Sequence, residues 1–280
     1  MEAPAPRRIT QGDLDIFQMC QLNHVYGWKA ENNGTVTQTA PDPREARVVA
    51  TLRYEWYWIW LQHYNPNAWV MVLDARDSFF QSNPFADLPR QSDRQTPQGR
   101  LYFFGENMNA TRLGKSTKNA NWLRNGYGNQ VIASLRDKPT ICSGGTMGEV
   151  VALEQYLRAL INEKDETVIR MTGADQGFHN YLYYSSKLHN AKAISSLSVW
   201  DQGRGIINNL GALRVRTLSE WGIFNVTTGT VTNWDGRSSP VFHQWDRDRE
   251  LSRYFDRKFQ QLSGEWQKVL SNMTASITFT

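Results

Sequence analysis

The feature that most narrows the fold is a six-residue apolar run, Ala68-Trp69-Val70-Met71-Val72-Leu73, stopped abruptly by Asp74-Ala75-Arg76-Asp77. A run of this kind has no polar face to offer to water, so it suits a strand covered on both sides, the usual state of strands in parallel sheets. Its surroundings agree. Asp42-Pro43 supplies a cap and a first-turn proline, and Val48, Leu52, Trp56 and Ile59 recur at helical spacing. Together they predict a helix over 43–64, stopped by Asn65-Pro66-Asn67. Beyond a polar loop at 90–99, residues 101–104 and 139–147 read as strands, the latter running into a helix at 149–161. Gly173-Ala174-Asp175-Gln176 opens another helix toward residue 187. Residues 221–245 read as short β segments, and 246–270 as a charged amphipathic helix. Strands alternating with helices predict an α/β fold with a mostly parallel central sheet flanked by helices, one domain over 43–280.

Composition removes several alternatives. No run of about 18 apolar residues is present, so no transmembrane segment is expected. Two cysteines, Cys20 and Cys142, cannot build a disulfide scaffold or a four-cysteine zinc site. A formal charge of +4 is too small to indicate nucleic acid as a partner. Sequons at Asn33, Asn109, Asn225 and Asn272 favour a secretory or Golgi lumen over the cytoplasm. Eleven tryptophans, eleven tyrosines and twelve phenylalanines are a surplus that either packs a core or lines a cleft.

Two carboxylates at the carboxyl end of a buried strand sit where ligands bind in open α/β sheets. Hard oxygen ligands there suit Mg2+ or Mn2+, and such a cation can hold a diphosphate. The plainer reading is a turn capped by Asp74, with Arg76 and Asp77 as a solvated ion pair. Ser143-Gly144-Gly145 likewise suits either a tight strand-to-helix turn or a backbone pressed against a ligand. Asp175 at the head of a helix is an ordinary N-cap or a working carboxylate.

Residues 70–85, VMVLDARDSFFQSNPF, resemble the metal-binding segment of GT-A-fold glycosyltransferases. In that segment an apolar strand ends in a D-x-D-type motif, followed by an aromatic pair and an Asn/Asp-Pro-Phe turn. Here D-A-R-D stands in place of D-x-D. The similarity runs, more thinly, from about residue 53 to 246. It implies a single GT-A-like, Rossmann-like domain that moves a hexosyl or pentosyl group from a UDP- or GDP-linked donor to a hydroxyl on a glycan, protein or lipid-linked acceptor. Mn2+ or Mg2+ would be held by Asp77, Asp74 and His243, the last matching a late histidine ligand of several such families. Arg53, Arg76, Ser143, Gly144 and Gly145 would bind the donor. Asp175 and Gln176 would be catalytic, and Asn180, Trp234 and Trp245 would face the acceptor. The family opens with a strand that holds the nucleotide base. Residues 15–21 match it poorly, so 1–42 are set apart as a segment with that strand truncated or replaced. Two other classes fit the same residues: a transferase-fold protein that binds glycan or a partner without turnover, and a nucleotidyltransferase, which would ordinarily carry a glycine-rich phosphate loop not seen here.

Overall fold

A computed structural model describes residues 44, 46–89, 98–167, 169 and 173–277, with the backbone of three short N-terminal strands; from 266 onward the last helix is described by its backbone. Those strands are β1 (Met19–Cys20), β2 (Trp28–Ala30) and β3 (Val36–Gln38). β2 and β3 pair with each other, and β1 pairs antiparallel with β4 (Arg47–Val48). Helix α1 (Val49–Leu61) therefore starts later than the expected 43, because Arg47 and Val48 are taken up in a strand. The Asp42-Pro43 cap and most of 15–21 lie outside the described residues.

The central sheet has four strands in the order β5 (Trp69–Leu73), β8 (Ile141–Glu149), β7 (Gly99–Gly105) and β9 (Ile194–Trp200). β7 and β9 are parallel, but β8 runs antiparallel to both of its neighbours. The α/β class holds, and the sheet is mixed: β5, β7 and β9 run one way and β8 alone is reversed. The cause is the excursion that contains helix α2 (Thr117–Leu135). Its two ends are tied together: Leu113 donates to the Lys138 carbonyl and Gly114 to that of Arg136. The chain is thus returned to the end of the sheet it had just left, and β8 must re-enter pointing the other way. α2 itself is broken at Gly128, where φ is 81°.

β5 is an edge strand among the described residues, and all five of its residues keep some exposure. Its two faces are nonetheless covered. Val70 and Val72 pack into a core built by α1, α3 (Val150–Thr167) and α4 (Ala174–Tyr184). α3 contributes Val150, Leu153, Tyr156, Leu157 and Leu160, one apolar stripe at helical spacing. Each such fully buried apolar side chain stabilises the fold by about 1.5–3 kcal/mol. Met71 and Leu73 face the other way, against a second, three-stranded sheet of β10 (Ile207–Asn209), β13 (Val241–His243) and β6 (Ser78–Phe80). The remaining pair, β11 (Phe224–Asn225) and β12 (Thr230–Val231), forms a small hairpin. Helix α5 (Arg249–Ile277) closes this side by placing Leu251 and Phe255, one turn apart, against Phe79 and Phe242. No helix among the described residues is long and apolar enough to cross a membrane.

Candidate metal centre

Three strand pairings converge on one point. Leu73 pairs with Gly145, so Asp74 follows directly and its N–H donates to the Gly144 carbonyl at 2.9 Å. Ser78 pairs with His243, so Asp77 lies beside Gln244, whose N–H donates to the Asp77 carbonyl at 2.7 Å. Asn209 pairs with His243 on its other side. Asp74, Asp77 and His243, up to 169 positions apart in sequence, thereby bring one ligand atom each within 4.8 Å of one another.

The histidine is the informative member. It is 2% exposed. Asn209 donates from Nδ2 to the carbonyls of Phe104 and Gly105, so its Oδ1 is left to face His243 Nδ1 at 2.9 Å. That assignment puts a hydrogen on Nδ1. Nε2 then points at Asp77 Oδ1, 3.3 Å away, and Asp74 Oδ2, 3.8 Å away, with no hydrogen bond of good geometry. A lone pair aimed at two carboxylates is stable only with positive charge between them, either a proton or a metal cation. Burial would push the Asp77 carboxyl up. The neighbouring His243 ring, with Arg76 and Arg247 beyond it, outweighs burial and holds that carboxyl below its ordinary value.

The glycine that walls this point has no freedom to become anything larger. A Cβ at Gly144 would lie 2.3 Å from His243 Cε1 and 3.0 Å from Asp74 Oδ2. Gly145 packs in the same way on Ile207.

Behind the carboxylates is a second layer. Arg53 bridges Asp74 and Asp175, binding Asp74 through Nη1 and Asp175 Oδ2 through Nη2 at 2.9 Å. Burial works against the Arg53 charge, but Tyr54, Asp175 and Asp74 more than offset it and raise its pKa. Asp175 is 3% exposed, and its Oδ2 also accepts from Tyr54 and from Ser143 Oγ. This geometry makes Asp175 the residue that fixes Arg53 and Ser143. It stands at the head of α4 after Gly173, which has a φ of 81° and whose Cβ would collide with Trp122.

Other expected site residues fare differently. Gln176 lies in the site, accepting from the Ser143 N–H and donating to Asn119. Asn180 does not face a ligand. It is wholly buried, and its amide is spent on the N–H and carbonyl of Ile141 and the carbonyl of Gln176. Arg76 points outward to Asp246 and stays 3.7 Å from Asp77. Trp245 is half-buried and packs against the core, its ring 5.5 Å from that of Phe255. Trp234 pairs edge-on with Trp221 and donates to the Gln202 carbonyl.

Two residues were not anticipated. Asn209 orients the histidine. Glu106, immediately after β7, lies close to Gln176, Cys142 and His243; burial pushes its carboxyl up despite those neighbours. Glu106 carries the same signal as Asp74, an acid directly ending an apolar strand, in Phe103-Phe104-Gly105-Glu106. The chain matches no protein-family model, no curated protein and no solved structure.

Proposed function

We propose that this chain is a divalent-metal-dependent glycosyltransferase of GT-A type, moving a sugar from a nucleotide-diphosphate donor to an acceptor hydroxyl. The observation that carries the reading is the orphan Nε2 of His243 directed at Asp74 and Asp77, beside a backbone stripped of side chain at Gly144. One imidazole and two carboxylates form a donor set suited to Mn2+ better than to Ca2+, with Mg2+ the alternative. When bound, such a cation neutralises charge that develops on a departing diphosphate. The resemblance of residues 70–85 to the metal-binding segment of that family supports the same reading.

The chain's own groups divide the remaining work. Gly144 and Gly145 leave the room that His243 and Ile207 occupy, and Ser143, held by Asp175, offers its hydroxyl nearby. Arg53 keeps a full positive charge at the inner side of Asp74, placed to meet phosphate oxygens if it leaves that carboxylate. Gln176, at the Ser143 N–H, and Glu106, whose carboxyl burial pushes up, supply further polar groups.

The test is a panel of UDP- and GDP-sugars incubated with Mn2+, reading nucleotide release and sugar transfer for the wild type and Asp77→Ala. The expected result is Mn2+-dependent turnover of at least one donor, reduced at least about a hundredfold by the substitution. No turnover of any donor, or turnover indifferent to Asp77→Ala, overturns the reading.

A further inference from the structure

The Asn83-Pro84-Phe85 turn contributes nothing to the metal centre. In the small sheet Ser78 pairs with His243 and Phe80 with Val241, so the turn lies past the opposite end. Pro240 stands three positions before His243, about 10 Å at a strand's rise of roughly 3.3 Å per residue. There Asn83 and Pro84 line a separate groove of about 580 Å³ together with Tyr102, Trp200, Arg204 and Asn233. We propose that this groove is a binding site for a neutral saccharide.

The aromatic lining favours sugar. Trp69, Tyr102 and Trp200 run across one face of the central sheet with ring centroids 5.0 and 6.1 Å apart. Trp200 is 40% exposed. Neither its Nε1 nor the Tyr102 hydroxyl makes a hydrogen bond among the described residues. Each ring therefore offers an apolar surface with a free polar edge, matching the C–H face and peripheral hydroxyls of a pyranose.

The walls are preorganised. Gln81 donates to the carbonyls of Val231 and Ser239 and accepts from the Val231 N–H, which pins the start of the turn. Gln202 donates to Asn208, Asn208 to Ser239, and Ser239 to Asn233, whose amide nitrogen holds the Gly205 carbonyl. Trp234 is fastened to Gln202. Rigid walls lower the ordering cost of binding.

The rim sets the charge class. The Arg204 guanidinium has no partner among the described residues, and its planar fork suits a vicinal pair of hydroxyls. Arg237 is held by Asp235, and Asp87 also lines the groove, so the charges balance and a strongly anionic ligand gains little. On the transferase reading the occupant is the far part of an acceptor glycan. Only that identification rests on the reading; binding itself does not.

The experiment is titration of cellotriose, chitotriose, mannotriose and N-acetyllactosamine by calorimetry and saturation-transfer NMR, in EDTA and without nucleotide. At least one should bind the wild type and Asp77→Ala alike, and bind Trp200→Ala and Arg204→Ala at least tenfold more weakly. Arg204 is exposed, so its variant keeps the test valid if Trp200→Ala fails to fold. Absence of binding by all four saccharides overturns the proposal. So does affinity unchanged in both groove variants, or binding lost in Asp77→Ala. Binding that follows this pattern without any donor turnover would sustain the saccharide site and overturn the transferase reading alone.

Discussion

Two histidines, His179 and His243, are buried almost equally, 0% and 2% exposed, and each has one ring nitrogen engaged and the other without a partner. His179 Nδ1 shares a 2.7 Å hydrogen bond with the Tyr156 hydroxyl, and its ring lies 4.1 Å from that of Phe103. His243 Nδ1 meets Asn209. What differs is the surroundings of the free nitrogen. Around His179 burial alone acts, pushing its pKa down to about 3, so the ring stays neutral and structural. Around His243 two carboxylates demand positive charge. Burial and an orphan nitrogen are therefore not by themselves the mark of a ligand; the opposing carboxylates are.

The largest effect that would break this contrast is on metal binding. His243→Ala should remove Mn2+ binding measured by calorimetry or EPR, a loss of at least about a hundredfold, and Gly144→Ala should approach it by crowding the same ring. His179→Gln should leave Mn2+ affinity unchanged. Equal losses in both histidine variants would erase the distinction. A smaller effect is expected at the orienting residue. Asn209→Ala should weaken Mn2+ about ten- to a hundredfold, because the Nδ1–H tautomer is no longer enforced. No change there would mean that the ring is held by packing alone.

The smallest effect is on stability. His179 has a folded pKa depressed below its ordinary 6.5, so the unfolded chain binds the extra proton. Stability is then full above about pH 6.5 and falls as the pH drops toward 3. Between pH 7 and pH 5 this residue should cost about 2 kcal/mol of unfolding free energy. Urea titrations at the two pH values should show that difference shrinking in His179→Gln. A variant with an undiminished pH dependence would assign it to other groups.

The contrast also explains what was legible in the sequence. The strand ending at Asp74 could be read from its apolar run, because that signal is local, whereas His243 was reached only through the resemblance. The direction of β8 could not, since it is fixed by Leu113 and Gly114 meeting Lys138 and Arg136 across an excursion of more than twenty residues. Helix α2 was missed because Gly126 and Gly128 interrupt its apolar period, and β9 because Ile194-Ser195-Ser196 reads as polar loop. Asn180 and Asp175 show the limit from the other side. Their residue types fit a site, but only the folded structure shows that the Asn180 amide is spent on Ile141 and that Asp175 Oδ2 is shared by Arg53, Tyr54 and Ser143. Asn209 carries no local signal, because its work depends entirely on which strand lies next to it.

The pairing of Leu73 with Gly145 makes the chain's tolerance of insertions and deletions sharply uneven. Successive residues of a strand face opposite ways, so removing one residue from β8 between Gly145 and Glu149 would shift its pairing with β5 and bring a different residue opposite Asp74. The sheet could still hydrogen-bond, but the gap that Gly144 leaves for His243 would be lost. Extra residues within the excursion at 115–135 would be absorbed outside the sheet, since its two ends are tied to each other before β8 begins. Length variation among natural versions of this chain should therefore collect in that excursion and stop short of β8.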